Sequence, residues 1–250
     1  MSEIEPLKAK FDELETVLKL VKELEKRQRS NVRSHYQKQQ LIASVRATTY
    51  VMLYNALEGT MRSVMKSIRE KIEAEGILFD QATEYWRLDL VQSNFLDKMQ
   101  SGTSHGNLLV EFVPLTTRPL FWDELKKDRL PFSGNFGQAT AIKLKEGLEI
   151  SWSAPPHTLG GSDLDNVRER RNALAHGLES FSEAGDKVLA KDLLAMLDRV
   201  RKFMLSYIAA LESYRDTQGY VRQPGAVGDR TVDLQGIADS FEGEPLQTGE

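Results

Sequence analysis

The eight residues Arg170-Arg171-Asn172-Ala173-Leu174-Ala175-His176-Gly177 hold the side chains in this chain best suited to chemistry. Histidine titrates near neutral pH, so His176 can take or give a proton. Arginine stays charged and presents a planar fork to an oxyanion, which suits Arg171 to a phosphate. The same stretch also reads as a solvated helix end closed by Gly177. Helix geometry separates its two main groups. Five residues turn through about 500°, so Arg171 and His176 leave a regular helix about 140° apart. Asn172, four residues before His176, is its neighbour instead, and Asp165 and Glu169 fall near the histidine too. Arg171 falls among Val167, Leu174 and Leu178, where a guanidinium needs a partner. An acid from another helix, an interface, or a distortion near Gly177 would each meet that need.

Other chemistries have little support. The 250 residues include no cysteine, which removes disulfides, thiolate metal sites and a cysteine nucleophile and suits a reducing compartment. His35, His105, His157 and His176 have no H-x-x-x-H spacing, so no metal site and no cofactor are expected. Neither a G-x-x-x-x-G-K-[ST] loop nor a G-x-G-x-x-G turn is present. Ser104 stands beside His105, but adjacent residues rarely make a nucleophile–base pair. The start, MSEIEPLKAKF, lacks a basic region followed by an apolar run. No apolar run approaches the roughly 18–20 residues that cross a bilayer. A cytoplasmic protein is expected.

The elements that must position the motif are helices. Ile4, Leu7, Phe11, Leu14, Leu18 and Val21 recur at three and four. Leu41, Val45, Met52, Ala56, Val64, Ile68 and Ile72 mark a second helix, stopping near Gly76. FDQATEYWRLDLVQSNFLDKM reads as a third. Residues 100–161 are rich in turn formers, with a short apolar run, LLVEFV, that could be a strand and a short helix at GQATAIKLKEG. The motif helix follows, with Ser162 or Asp163 able to cap it. Leu193, Leu197, Val200, Met204, Tyr207, Leu211 and Tyr214 define the last helix. The expected fold is all-α: an up-and-down bundle of about five helices, with an irregular connector over residues 100–161 and a C-terminal tail.

The formal net charge of −4 hides a polarity. Residues 22–46 carry seven lysines and arginines against two glutamates, a local +5, whereas residues 216–250 carry −5. Arg29, Arg33 and Lys38 in the basic stretch are candidate contacts to a nucleic-acid phosphate backbone, as are Arg168 and Arg170 on the motif helix. A solvated helix surface explains the same charges.

RNALAHG resembles the R-x-x-x-x-H signature of the HEPN superfamily of helical domains. YVMLYNALEGTMRSVM in the second helix and FSGNFGQATAIKLKEGLEI before the motif are similar to one branch of its bacterial members. The resemblance covers roughly residues 35–215. With residues 1–34 read from their periodicity as an N-terminal amphipathic helix, one HEPN-like domain is expected over residues 1–215; the acid- and glycine-bearing composition of 216–250 reads as an acidic, flexible tail outside the resemblance. Many members are metal-independent endoribonucleases, often of toxin–antitoxin or phage-defence systems; others are inactive scaffolds. The motif residues of the family correspond to Arg171, Asn172 and His176. Cleaving RNA with its own 2′-hydroxyl needs a proton acceptor, a donor to the leaving oxygen and positive charge on the phosphate, and these side chains supply such groups. One chain supplies a single motif histidine, so a two-fold dimer would build a composite site and give Arg171 an interface. Glu58, on the second helix, is a supporting candidate that could hold Arg171 or polarise His176; it could equally pair with Arg62 along its own helix. The competing expectation is a non-catalytic scaffold or RNA-binding subunit that works through partners, such as an antitoxin or a defence complex.

Overall fold

In the computed structural model the described residues are 2–28, 35–100, 117–122, 127 and 135–223. Seven α-helices stand among them: α1 (Ile4–Gln28), α2 (His35–Ala74), α3 (Glu84–Gln100), α4 (Gln138–Gly147), α5 (Ser162–Ala175), α6 (Phe181–Asp186) and α7 (Ala190–Asp216). No strand forms among the described residues; Leu78 with Pro119 and Ala82 with Val221 make isolated bridges. The all-α expectation holds, and the helix number rises from about five to seven. The apolar run LLVEFV lies outside the described residues, as does Ser104–His105.

The spine is α2, whose 40 residues extend about 60 Å at about 1.5 Å per residue. It touches α1, α5, α6 and α7. Leu7, Phe11, Leu14 and Leu18 of α1 are buried, as is every one of the seven stripe residues expected on α7. On α2 the expected stripe is buried at Ala56, Val64, Ile68 and Ile72 and half-buried at Val45 and Met52, but it fails at its start and omits much of the core. Leu41 is 66% exposed, while Tyr50, Leu53, Tyr54, Leu57, Met61 and Met65 are buried. A helix packed on several sides cannot show a single narrow stripe.

Glycines set two of the joints. Gly76 has φ +65 and follows the end of α2, with the Gly76 N–H bonded to the Glu73 carbonyl and Ile77 N–H to Ile72. This left-handed stop is the one the sequence suggested. Gly185 lets α6 lie directly on α2: a Cβ there would stand 1.7 Å from the Ala43 carbonyl oxygen. That obstacle is backbone and cannot turn aside. Gly185→Ala is therefore expected to cost about 1–3 kcal/mol by forcing α6 off α2. A urea midpoint equal to wild type would contradict this packing account.

A charged network lies deep in the interior. Arg69, 1% exposed, grips Asp89 of α3 through two hydrogen bonds of 2.9 and 2.7 Å and donates to the Lys127 carbonyl at 2.7 Å. Residues 217–222 fold back after α7, burying Tyr220 beside Tyr214. Residues 224–250, most of the expected acidic tail, lie outside the described residues.

Candidate active site

The motif occupies the end of α5. Its start departs from expectation. The N-cap is Gly161 at φ +95, with no side-chain cap, because a Cβ at Gly161 would strike the Phe203 ring at 2.5 Å. Asp163, one of the expected caps, instead takes Arg199 of α7 through hydrogen bonds of 2.6 and 3.1 Å. Ser162 is the first helical residue. The helix end agrees with the sequence. Gly177 adopts φ +67, its N–H bonds the Leu174 carbonyl, and Leu178 N–H bonds the Ala173 carbonyl at 2.9 Å. This closure satisfies carbonyls that the helix would otherwise leave open. His176 is thus the C-cap, at φ −89 and ψ 3, and its side chain is exposed.

Arg171 meets an acid from another helix, the first of the three arrangements open to it. Its side chain is 28% exposed and its Nη2 lies 3.8 Å from Glu58 Oε2 on α2. The guanidinium carbon sits 4.3 Å above the Tyr54 ring centroid. That distance is well within cation–π range. Nη1 donates to the Asn172 side-chain oxygen at 2.9 Å. Glu58 also takes Arg62 at 3.0 Å, so its pairings with Arg171 and Arg62 occur together, and it makes no hydrogen bond to His176.

Asn172 and His176 are linked through the backbone, His176 N–H to the Asn172 carbonyl at 2.9 Å. The Asn172 side chain turns elsewhere, donating to Asn135 at 3.2 Å. No hydrogen bond to the His176 ring forms among the described residues. Asp165 accepts from the Gln138 backbone N–H at 3.1 Å and pairs with Arg168 at 3.2 Å. Glu169 stands 3.5 Å from Arg168. The two acids that helical spacing places near His176 are therefore engaged with the start of α4 and with Arg168.

The other candidate phosphate contacts divide. Arg170 pairs with Glu179 at 3.1 Å, and the Lys187 ammonium also contacts Glu179. The hydrogen bond from Lys187, with the charge of both cations, holds the Glu179 carboxyl below its ordinary range. Lys38 is exposed; Arg29 and Arg33 lie outside the described residues. Arg46, counted in the basic stretch, is not a surface charge at all. It is 7% exposed, donates to the Val188 carbonyl and lies 3.6 Å from Glu25. Part of the local +5 is spent bracing the fold.

A family model, that of the HEPN_MAE_28990-like HEPN domains, matches residues 4–220. The chain belongs to this HEPN family. No curated protein and no solved structure matches it. Within the HEPN domain, sequence reasoning missed Tyr54 and Asn135 as neighbours of the motif. Tyr54 lies one turn before Glu58 on α2, a spacing that places both on one face. Asn135 sits inside the HEPN-like stretch before α4, but nothing local marks its reach to Asn172. Burial pushes the Tyr54 hydroxyl above its ordinary range, against a weaker opposing effect of the Phe136 N–H bonded to it. No group of three or more His, Asp or Glu residues among the described residues is placed to hold a metal ion. No helix among them is long and apolar enough to cross a membrane.

Proposed function

We propose that this HEPN protein is a metal-independent endoribonuclease of a toxin–antitoxin or phage-defence system, acting in the cytoplasm as a homodimer. The observation that carries the reading is the setting of Arg171. It is a partly exposed guanidinium anchored on a ring and a carboxylate, and its helix ends on an exposed histidine. Arg171 binds the scissile phosphodiester and stabilises the charge that grows on its oxygens as the 2′-hydroxyl attacks. His176 moves the proton, either from the attacking hydroxyl or to the leaving 5′-oxygen. A single histidine performs one of these roles at a time. Two motif ends brought together by two-fold symmetry supply both, with Asn172 orienting its neighbouring arginine. Leu178, 80% exposed, and Phe181, 41% exposed, follow directly on the motif and offer apolar area to such a contact.

A scaffold reading draws on a different observation. Leu20 and Leu24, 63% and 42% exposed, stand one turn apart on α1, and a partner helix would cover them. Expression in bacteria separates the two readings. The nuclease reading expects arrested growth and fragmented RNA with wild type, and neither with Arg171→Ala or His176→Ala at equal protein levels. Equal effects from all three proteins contradict it.

A further inference from the structure

The geometry points to Tyr54 as the positioning residue for Arg171: its ring fixes the guanidinium plane so that the N–H edge stays available to an RNA phosphodiester. The inference rests on the nuclease reading and deepens it by naming what presets its phosphate-binding group.

Among the described residues three contacts surround the Arg171 guanidinium, and they do unequal work. Glu58 Oε2 lies 3.8 Å away, whereas its Oε1 holds Arg62 at 3.0 Å. The carboxylate is therefore committed first to its own helix. Asn172 accepts at 2.9 Å, but it is the next residue in the chain and moves with the same helix. The Tyr54 ring, 4.3 Å beneath the guanidinium carbon, is the close contact that ties Arg171 to α2.

The ring is itself fixed. Tyr54 is fully buried, and its hydroxyl accepts the Phe136 N–H at 3.1 Å. Phe136 follows Asn135, whose side chain accepts from Asn172 at 3.2 Å. A closed circuit results, from ring to Arg171, to Asn172, to Asn135 and back through Phe136 to the Tyr54 hydroxyl. Each link limits rotation of the next.

The choice of a ring has a chemical consequence. A tight carboxylate partner would occupy the N–H donors that a phosphate needs and would offer a competing negative charge. An aromatic face attracts the cation through its π-cloud and takes none of its N–H donors, so those not engaged by Asn172 and Glu58 stay open to a phosphate. Because a free arginine side chain samples many rotamers, holding it in one plane before substrate arrives removes a cost from phosphate binding.

The test uses the whole chain with Tyr54→Phe, Tyr54→Leu, Tyr54→Met and Arg171→Ala. Cleavage is followed on a single-stranded oligoribonucleotide, and affinity on its 2′-O-methyl form, which lacks the attacking hydroxyl. Proton NMR of the Arg171 Hδ atoms reports the stack directly through the ring-current shift. Losing the ring in Tyr54→Leu is expected to weaken affinity about ten-fold, the scale of a partly desolvated cation–π contact, and to abolish the upfield shift. Tyr54→Met, a second ring-free side chain, should behave alike. Tyr54→Phe keeps the ring and should keep the shift and most of the affinity, losing only what the hydroxyl's bond from the Phe136 N–H adds. Wild-type affinity and rate in folded Tyr54→Leu or Tyr54→Met, or Tyr54→Phe as impaired as these, overturns the inference. Arg171→Ala with undiminished binding and cleavage contradicts the nuclease reading itself, whereas a dead Arg171→Ala beside a fully active Tyr54→Leu contradicts only the role of Tyr54.

Discussion

His176→Ala is expected to lower the rate of RNA cleavage by about 10²–10⁴-fold, the usual contribution of a positioned proton-transfer group, while leaving the fold in place. The structural half of this expectation follows from where the residue sits. His176 is an exposed helix C-cap, and the helix end is closed by backbone hydrogen bonds to Gly177 and Leu178 rather than by the imidazole. An alanine at such a position should change the unfolding free energy by no more than about 0.5 kcal/mol. Arg171→Ala should be nearly as inactive, about 10²–10³-fold slower, by losing charge on the phosphate. Its stability cost should be larger than that of His176→Ala, since the guanidinium covers Tyr54 and faces Glu58. Initial rates on purified proteins, with urea unfolding of the same samples, check both halves. A His176→Ala protein that cleaves at the wild-type rate removes the histidine from the mechanism.

The largest expected effect on stability lies far from the motif. Arg69→Met should destabilise the protein by about 3–5 kcal/mol, because it strips two hydrogen bonds from a carboxylate that stays buried. Asp89 is 5% exposed and takes the Arg69 guanidinium at 2.9 and 2.7 Å. The pair joins α2 to α3, and the Lys127 carbonyl takes a further N–H of the same guanidinium at 2.7 Å. Desolvating both charges is itself costly, so an apolar replacement of both should recover much of the loss. Arg69→Met combined with Asp89→Leu is expected to be more stable than Arg69→Met alone. Denaturant midpoints for the single and double variants form the check. A single variant within about 1 kcal/mol of wild type would show that the buried pair has little net value.

Periodicity made the long helices legible. The stripes of α1 and α7 consist of residues that are indeed buried, because each helix has one dominant packing side. It served less well for α2, whose aromatic and methionine positions face several neighbours at once, leaving Leu41 exposed. The short α6 went unseen although it carries a local signal. Ser180 and Glu183 form a capping box, with the Ser180 side chain accepting from the Glu183 N–H and Glu183 reaching back to Ser180. Their S-x-x-E spacing could have located it.

At the candidate site, the sequence supplied Arg171, Asn172, His176 and Glu58, together with the correct objection that an arginine on an apolar stripe needs a partner. It favoured an interface for that arginine, yet within one chain the partner is the Tyr54–Glu58 face of α2. That contact joins residues more than a hundred positions apart, a distance that no local spacing encodes. The charge count misled for a related reason. Arg46 looks like part of a basic surface in sequence, and only the tertiary fold shows it buried against the Val188 carbonyl.

Analysis of the RNA ends tests the central claim most directly. A defined single-stranded RNA is incubated with the purified protein in excess EDTA, and the termini of the products are identified by mass. Attack by the 2′-hydroxyl predicts fragments ending in a 2′,3′-cyclic phosphate and beginning with a 5′-hydroxyl, produced by wild type and not by His176→Ala. Intact RNA after incubation with wild type, or fragments ending in a 3′-hydroxyl, would contradict it.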